Sequence, residues 1–108
     1  MLTYHASHHD GHASLRLAGP LTIYTVTEAR REIPARLQKH HAQCLDLSAV
    51  EELDTAGLQL LLWLKRDAAA RGINLVFVHH SEAVVDVFDL LKLTAFFGDP
   101  ILMSPSAS

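Results

Sequence analysis

At 108 residues, the chain is long enough to form one globular domain with its own hydrophobic core. Hydrophobic residues make up 49% of the sequence and charged residues 19%, a balance that excludes an intrinsically disordered protein. The net charge is −3 and acidic and basic residues are interspersed, so the sequence lacks the basic patch that nucleic-acid binding requires.

The sequence does not have the pattern of a membrane or secretory segment. The longest apolar run, Leu60 to Leu64, is far too short to span a bilayer, and the N-terminus lacks a charged region followed by an apolar one. The single cysteine, Cys44, cannot form an internal disulfide and lies in an apolar run. We therefore expect a cytoplasmic protein with no membrane insertion.

The N-terminal part of the chain has the alternation of a β-hairpin. Apolar and polar residues alternate over 2–6 and again over 13–18, on either side of the turn sequence Asp10-Gly11, and Gly19-Pro20 ends the second strand. The histidines near this turn are His5, His8, His9 and His12. Because successive side chains of a strand point to opposite faces, this pattern does not favour a metal site.

The first helix is predicted from Thr25 onwards. Thr25-Val-Thr-Glu28 has the pattern of a capping box. Apolar residues then recur at helical spacing up to Leu37. Pro34 lies inside this pattern, and because proline lacks a backbone N–H and clashes with the preceding turn, we expect a kink or a break there.

The middle of the chain predicts a strand, a helix and a second strand. Residues 44–47 form a short buried strand, and residues 57–71 form a strongly apolar helix that ends at Gly72. The run 75–78 is entirely apolar, which is typical of a parallel strand covered on both faces. The segment 48–54 between the first strand and the helix is predicted as a loop.

The C-terminal part predicts a third helix capped by Ser81 and a last short strand over 101–103. Strands that alternate with helices favour an α/β fold with right-handed crossovers. We expect one domain over 1–103, with a mainly parallel sheet of four or five strands, an N-terminal antiparallel hairpin and about three main helices. The polar tail 104–108 is expected to be disordered.

The helix 57–71 has a clear core face and two apolar residues that deviate from it. The residues on the core face are Leu58, Leu61, Leu62, Ala68 and Ala69, and those on the solvent face are Gln59, Arg66 and Asp67. Leu60 and Trp63 turn toward the polar side. Either a neighbouring element covers them, or they belong to a surface that binds a partner, where tryptophan is favoured.

The sequence lacks the common catalytic and cofactor motifs. It contains neither a glycine-rich phosphate loop, nor Cys-x-x-Cys pairs, nor a nucleophile elbow, so we expect no enzyme activity, metal or cofactor. Asp54 and Thr55 precede the helix, where free backbone N–H groups and the helix dipole favour an anion. On generic grounds either residue could simply cap the helix.

Several motifs along the chain carry a resemblance to a known family. Asp46-Leu-Ser-Ala-Val50 is followed by Asp54-Thr-Ala-Gly-Leu58, and Leu17-Ala-Gly-Pro-Leu21 precedes the first helix. The stretch from Ser81 to Leu93 has the pattern of a third helix. Over nearly its whole length, the sequence resembles the STAS family, the domain shared by sulfate transporter tails and anti-sigma factor antagonists.

The resemblance to the antagonists implies a phosphorylation switch. In those proteins a partner serine kinase, the anti-sigma factor, phosphorylates the hydroxyl residue after the second Asp, and only the unphosphorylated form binds the kinase. The matching residue is Thr55, so the resemblance implies a non-enzymatic, bacterial regulator of transcription that phosphorylation of Thr55 switches off. Gly57 would let a partner backbone approach closely. The residues expected to contact the partner are Thr22, Tyr24, Ser48, Asp54, Thr55, Ala56, Gly57, Gln59, Leu60 and Trp63.

A threonine in this position is also similar to a second group of STAS proteins. This group is the small cytoplasmic subunit of the phospholipid ABC transporter that maintains outer-membrane lipid asymmetry, where the domain docks on the ATPase subunit. A third alternative, binding of a nucleotide or another small ligand, ranks last because the sequence has no phosphate loop. The protein is expected to be a monomer or a weak dimer.

Overall fold

A computed structural model describes residues 1–9 and 11–91, without the side chains of His9 and Leu91. Within these residues the strands are β1 (Thr3–His9), β2 (His12–Leu21), β3 (Cys44–Leu53) and β4 (Val76–Val78). The helices are α1 (Val26–His40), α2 (Thr55–Ala70) and α3 (Glu82–Leu91). The predicted strand 101–103 and the predicted tail 104–108 lie outside the described residues.

The described strands form one mixed sheet in the order β1-β2-β3-β4. β1 and β2 form the antiparallel hairpin, in which Thr3 lies opposite Ala18 and His9 opposite His12. β2 pairs with β3, and β3 with β4, in parallel. The predicted α/β fold, with its N-terminal hairpin and mainly parallel sheet, is therefore confirmed.

β3 is longer than the sequence predicts, and this corrects the predicted loop 48–54. The strand continues through Leu53, which pairs with Leu21 at the end of β2. Two register shifts accommodate extra residues on β3, and at the first of them the Asp46 carboxylate accepts a hydrogen bond of 2.8 Å from the backbone N–H of Ser48. Because β2 offers a pairing partner over this whole length, the polar residues remain in the strand instead of forming a loop.

The core lies between the sheet and the helices. α1 and α2 pack against each other and against the sheet, and α3 packs against β3. Side chains with almost no exposed surface include Leu15, Leu17, Ile33, Leu45, Leu47, Leu61, Phe77 and Phe88. The predicted core face of α2 is correct for Leu58, Leu61 and Ala68, whereas Ala69 lies at the edge of that face and is exposed.

α1 continues across Pro34 as one helix, so of the predicted kink or break, the break does not occur. Ile33 is fully buried and Leu37 packs against the core, on the two sides of the proline. Burial of apolar surface contributes about 25 cal/mol per Å², so two anchored side chains can offset the hydrogen bond that proline removes. Tertiary packing therefore overrides the local helix-breaking tendency.

Two helix ends have the predicted chemistry. After α2, Gly72 has a φ of +77°, its N–H donates to the carbonyl of Ala69 at 3.0 Å, and the N–H of Ile73 donates to Ala68 at 2.8 Å. Before α3, the Ser81 hydroxyl accepts a hydrogen bond of 3.3 Å from the N–H of Val84. None of the described helices is long and apolar enough to cross a membrane.

Candidate functional site

The candidate site lies where two parallel strands end side by side. Leu21 and Leu53 are the last paired residues of β2 and β3. Because parallel strands end at the same edge of a sheet, the loop 22–25 that leads to α1 meets the start of α2 at residues 54–57. The segments 22–25 and 54–57, which both contain residues expected to contact a partner, therefore lie next to each other, although about 30 residues of sequence separate them.

Asp54 connects these two segments through both oxygens of its carboxylate. One oxygen accepts a hydrogen bond of 2.9 Å from the N–H of Gly57 and caps α2. The other accepts a hydrogen bond of 2.9 Å from the N–H of Ile23 in the neighbouring loop. The anion that a helix N-terminus favours is therefore supplied by Asp54 itself, and Asp54 rather than Thr55 is the N-cap.

Gly57 is required for packing within the domain, which corrects the expectation that it admits a partner. A Cβ atom at this position would lie 2.0 Å from the carbonyl oxygen of Leu21 and 2.8 Å from Cδ1 of Leu53. Since the closest of these atoms belongs to the backbone, a side-chain rotation could not relieve the contact. The first turn of α2 thus rests directly on the end of β2, and Gly57 is buried.

Thr55 is the first residue of α2, and its side chain is exposed. Within the described part of the chain, its hydroxyl forms no hydrogen bond. Thr55 therefore lies on the surface, directly after Asp54, whose carboxylate oxygens both accept hydrogen bonds from backbone N–H groups. Its hydroxyl is accessible to an enzyme or to a binding partner.

The loop 22–25 is held by its own threonines rather than by a capping box. The Thr25 hydroxyl donates to the carbonyl of Pro20 at 3.0 Å and accepts from the N–H of Thr22 at 3.0 Å. It makes no cap bond to α1, because it points back into the loop. The hydroxyl of Thr22, a residue only 6% exposed, accepts a bond of 3.3 Å from the N–H of Tyr24. The predicted capping box is therefore wrong, and the threonines brace the loop instead.

This braced loop presents two large apolar side chains to solvent. Ile23 is 61% exposed and Tyr24 is 94% exposed. Exposed side chains of this size, on a loop whose backbone is fixed by hydrogen bonds, are suited to contact a partner at low entropic cost. The tip of the loop therefore joins Thr55 in one exposed surface.

A groove runs beside this surface between α1 and α2, and we call it the α1–α2 groove. Its volume is about 280 Å³, and its lining residues are Ile23, Val26, Thr27, Arg30, Ala56, Gln59, Leu60 and Trp63. The guanidinium carbon of Arg30 lies 4.5 Å from the centroid of the Trp63 ring, a cation–π contact. Leu60 is only 5% exposed, so the interpretation that a neighbouring element covers it is correct, and it contributes to the groove from its buried side.

The remaining predicted partner residues divide by their exposure. Tyr24, Thr55 and Gln59 are exposed. The half-buried residues are Ser48, Asp54, Ala56 and Trp63. The buried residues, which support the exposed ones, are Thr22, Gly57 and Leu60. Ile23 lies in the loop 19–25, which is expected to contact the partner, but it is not one of the individually predicted residues, and Arg30 is outside the prediction. An isoleucine in a polar loop could have drawn attention to Ile23, whereas the position of Arg30 depends on how α1 packs against α2.

Comparison with known proteins supports the fold and the family. The family model described as "Mlab, STAS domain" matches residues 4–102. The structure of an anti-sigma factor antagonist from Mycobacterium paratuberculosis is similar, with a TM-score of 0.72 and 22% identity over 98% of this chain and 89% of that one. None of the curated proteins matches the sequence.

Two further solved structures have the same fold. One is a proposed anti-sigma factor antagonist from Thermotoga maritima, with a TM-score of 0.74 and 21% identity over 95% of this chain and 88% of that one. The other is the anti-sigma factor antagonist SpoIIAA in its unphosphorylated form, with a TM-score of 0.65 and 17% identity over 94% of this chain and 88% of that one.

Proposed function

The chain belongs to the STAS family, in the branch described as "Mlab, STAS domain", and from this we propose that it is a non-enzymatic regulatory module that binds a protein partner. In the first candidate function it is an anti-sigma factor antagonist. Its partner is an anti-sigma factor that is also a serine kinase, and phosphorylation of Thr55 weakens the complex. Three solved structures of this fold are of proteins described as anti-sigma factor antagonists.

The observation that carries the proposal is the exposed Thr55 beside the exposed tip of the loop 22–25. The hydroxyl is accessible at the start of α2. Ile23 is tied to the same helix start through the Asp54 carboxylate. A modification of Thr55 would therefore act within the surface that contacts the partner, rather than at a distance from it.

The physical effect of a phosphate at Thr55 is local. It would add about two negative charges next to Asp54, whose carboxylate is already bonded to two backbone N–H groups. The positive end of the helix dipole tolerates this charge, so we expect the fold to remain intact. The partner would meet new charge and bulk at its contact surface, and the complex would weaken.

Thr55→Glu is expected to bind the partner about 10- to 100-fold more weakly than the wild type, which corresponds to about 1.4–2.7 kcal/mol. Calorimetric titration with an anti-sigma factor kinase from the same organism measures the affinity. Incubation with that kinase and ATP, followed by mass spectrometry, is expected to locate one phosphate on Thr55. Thr3→Glu makes the same change on the exposed strand β1 and is expected to bind normally. An unmodified Thr55, together with equal binding by Thr55→Glu and the wild type, would rule the switch out.

The second candidate is an accessory subunit that docks on the ATPase of a phospholipid ABC transporter, and the name of the matching family model favours it. In this case docking does not require phosphorylation. We expect the domain to co-purify with the ATPase of its own gene neighbourhood, and expect this binding to survive Thr55→Glu but not the bulkier and oppositely charged Thr55→Arg. If the wild type does not co-purify with the ATPase, the second candidate is contradicted, whereas loss of co-purification with Thr55→Glu as well would show that docking on the ATPase is itself sensitive to charge at Thr55.

A further inference from the structure

The α1–α2 groove combines an apolar floor with one charged side chain. Its apolar lining includes Ile23, Val26 and Trp63, and its one charged lining residue is Arg30. Arg30 is exposed, and its guanidinium carbon lies 4.5 Å from the centroid of the Trp63 ring. Among the described residues, the arginine ion pairs join Arg36 to Glu32 and Arg71 to Asp67, and Arg30 belongs to neither of them.

The arginine determines which ligand the groove favours. A guanidinium in a cation–π contact with a ring still has N–H groups that can bind a carboxylate with two hydrogen bonds. A basic segment would be repelled by Arg30, and a purely apolar one would desolvate the guanidinium without giving it a partner. A ligand with an acidic side chain next to an apolar one matches both the positive charge of Arg30 and the apolar lining of the groove.

We propose that the α1–α2 groove binds a partner segment in which a carboxylate pairs with Arg30 and an adjacent apolar side chain packs on Trp63 and Ile23. This rests on the proposed function, because the segment belongs to the protein that docks around Thr55. Ala56 lines the groove and directly follows Thr55. A phosphate on Thr55 therefore adds negative charge at the end of the groove and repels the same carboxylate.

The test uses the fluorescence of Trp63, which is the single tryptophan of the chain. Two synthetic helical peptides of equal length carry leucines at the same positions, with glutamate in one and lysine in the other at the polar positions. The glutamate peptide is expected to change the emission of Trp63 and to bind at least about tenfold more tightly than the lysine peptide. Arg30→Glu is expected to reverse this preference.

Arg31→Glu is the matched control, because it makes the same charge change at a neighbouring exposed residue outside the groove. It is expected to keep the preference for the glutamate peptide. The proposal is overturned if millimolar glutamate peptide leaves the emission of Trp63 unchanged, if both peptides bind equally, or if the two variants have the same effect. Equal binding of the glutamate peptide by Thr55→Glu and the wild type would leave the groove assignment standing and count against the phosphorylation switch.

Discussion

Gly57→Ala is expected to destabilise the domain by about 3 kcal/mol or more, the upper end of the range for overpacking a buried site. The added methyl would lie 2.0 Å from the carbonyl oxygen of Leu21 and 2.8 Å from Cδ1 of Leu53. Because the nearer atom belongs to the paired end of β2, either the strand or the first turn of α2 has to move. Alanine is otherwise the better helix former, so helix propensity alone predicts the opposite sign.

Urea unfolding monitored by circular dichroism measures this loss, and Gly72→Ala is the matched control. Gly72 has a φ of +77° but open space around its Cβ position. The same substitution there costs only the strain of a left-handed conformation, about 1 kcal/mol. If Gly57→Ala were no more destabilising than Gly72→Ala, the close contact between α2 and β2 would be refuted. Should Gly57→Ala fail to fold in buffer, both variants are compared in a stabilising osmolyte, which raises the stability of each of them.

Asp54→Ala is expected to destabilise the domain by about 2–3 kcal/mol. Loss of the bond to the N–H of Gly57 removes an N-cap, which costs about 1 kcal/mol. Loss of the bond to the N–H of Ile23 removes a second, charge-assisted hydrogen bond of about 1.5 kcal/mol. The loop 22–25 then loses its connection to α2, so the exposed side chains of Ile23 and Tyr24 are no longer held in place.

Asp54→Asn separates these two contributions. Its amide oxygen can still accept from Gly57, but its nitrogen is a donor and cannot accept from Ile23. We therefore expect about half of the loss caused by Asp54→Ala, together with faster hydrogen exchange of the Ile23 amide in both variants. Glu52→Ala removes an exposed carboxylate two residues away and is expected to change stability by less than about 0.5 kcal/mol. Unchanged exchange at Ile23 would show that Asp54 does not connect the loop to the helix.

Asp54 and Gly57 also show which interactions can be predicted from the local sequence and which cannot. An Asp directly before an apolar periodic segment predicts an N-cap, and the cap is present. The second bond of the same carboxylate, to Ile23, joins residues that are 31 positions apart. Nothing in the pattern around either residue specifies that bond, because it exists only when β2 and β3 end side by side.

For Gly57, too, the local sequence indicates only part of the interaction that the structure contains. Its small size indicates a close backbone approach, which on the sequence alone is expected from a partner. The structure places the carbonyl of Leu21 there. A glycine can indicate that two backbones meet, whereas the identity of the second backbone follows from the fold.

Periodicity, helix caps and turn residues act over a few positions, so the local sequence specifies the order of the described elements, the hairpin and the end of α2 at Gly72. The helix α2 itself begins at Thr55, two residues before the predicted start at residue 57. Pairing and packing set the length of β3, the continuity of α1 across Pro34, the burial of Leu60 and the cation–π contact of Arg30 with Trp63. Each of these depends on pairing or packing between segments far apart in the chain, where the energy of the contact outweighs the local preference of the residues that form it.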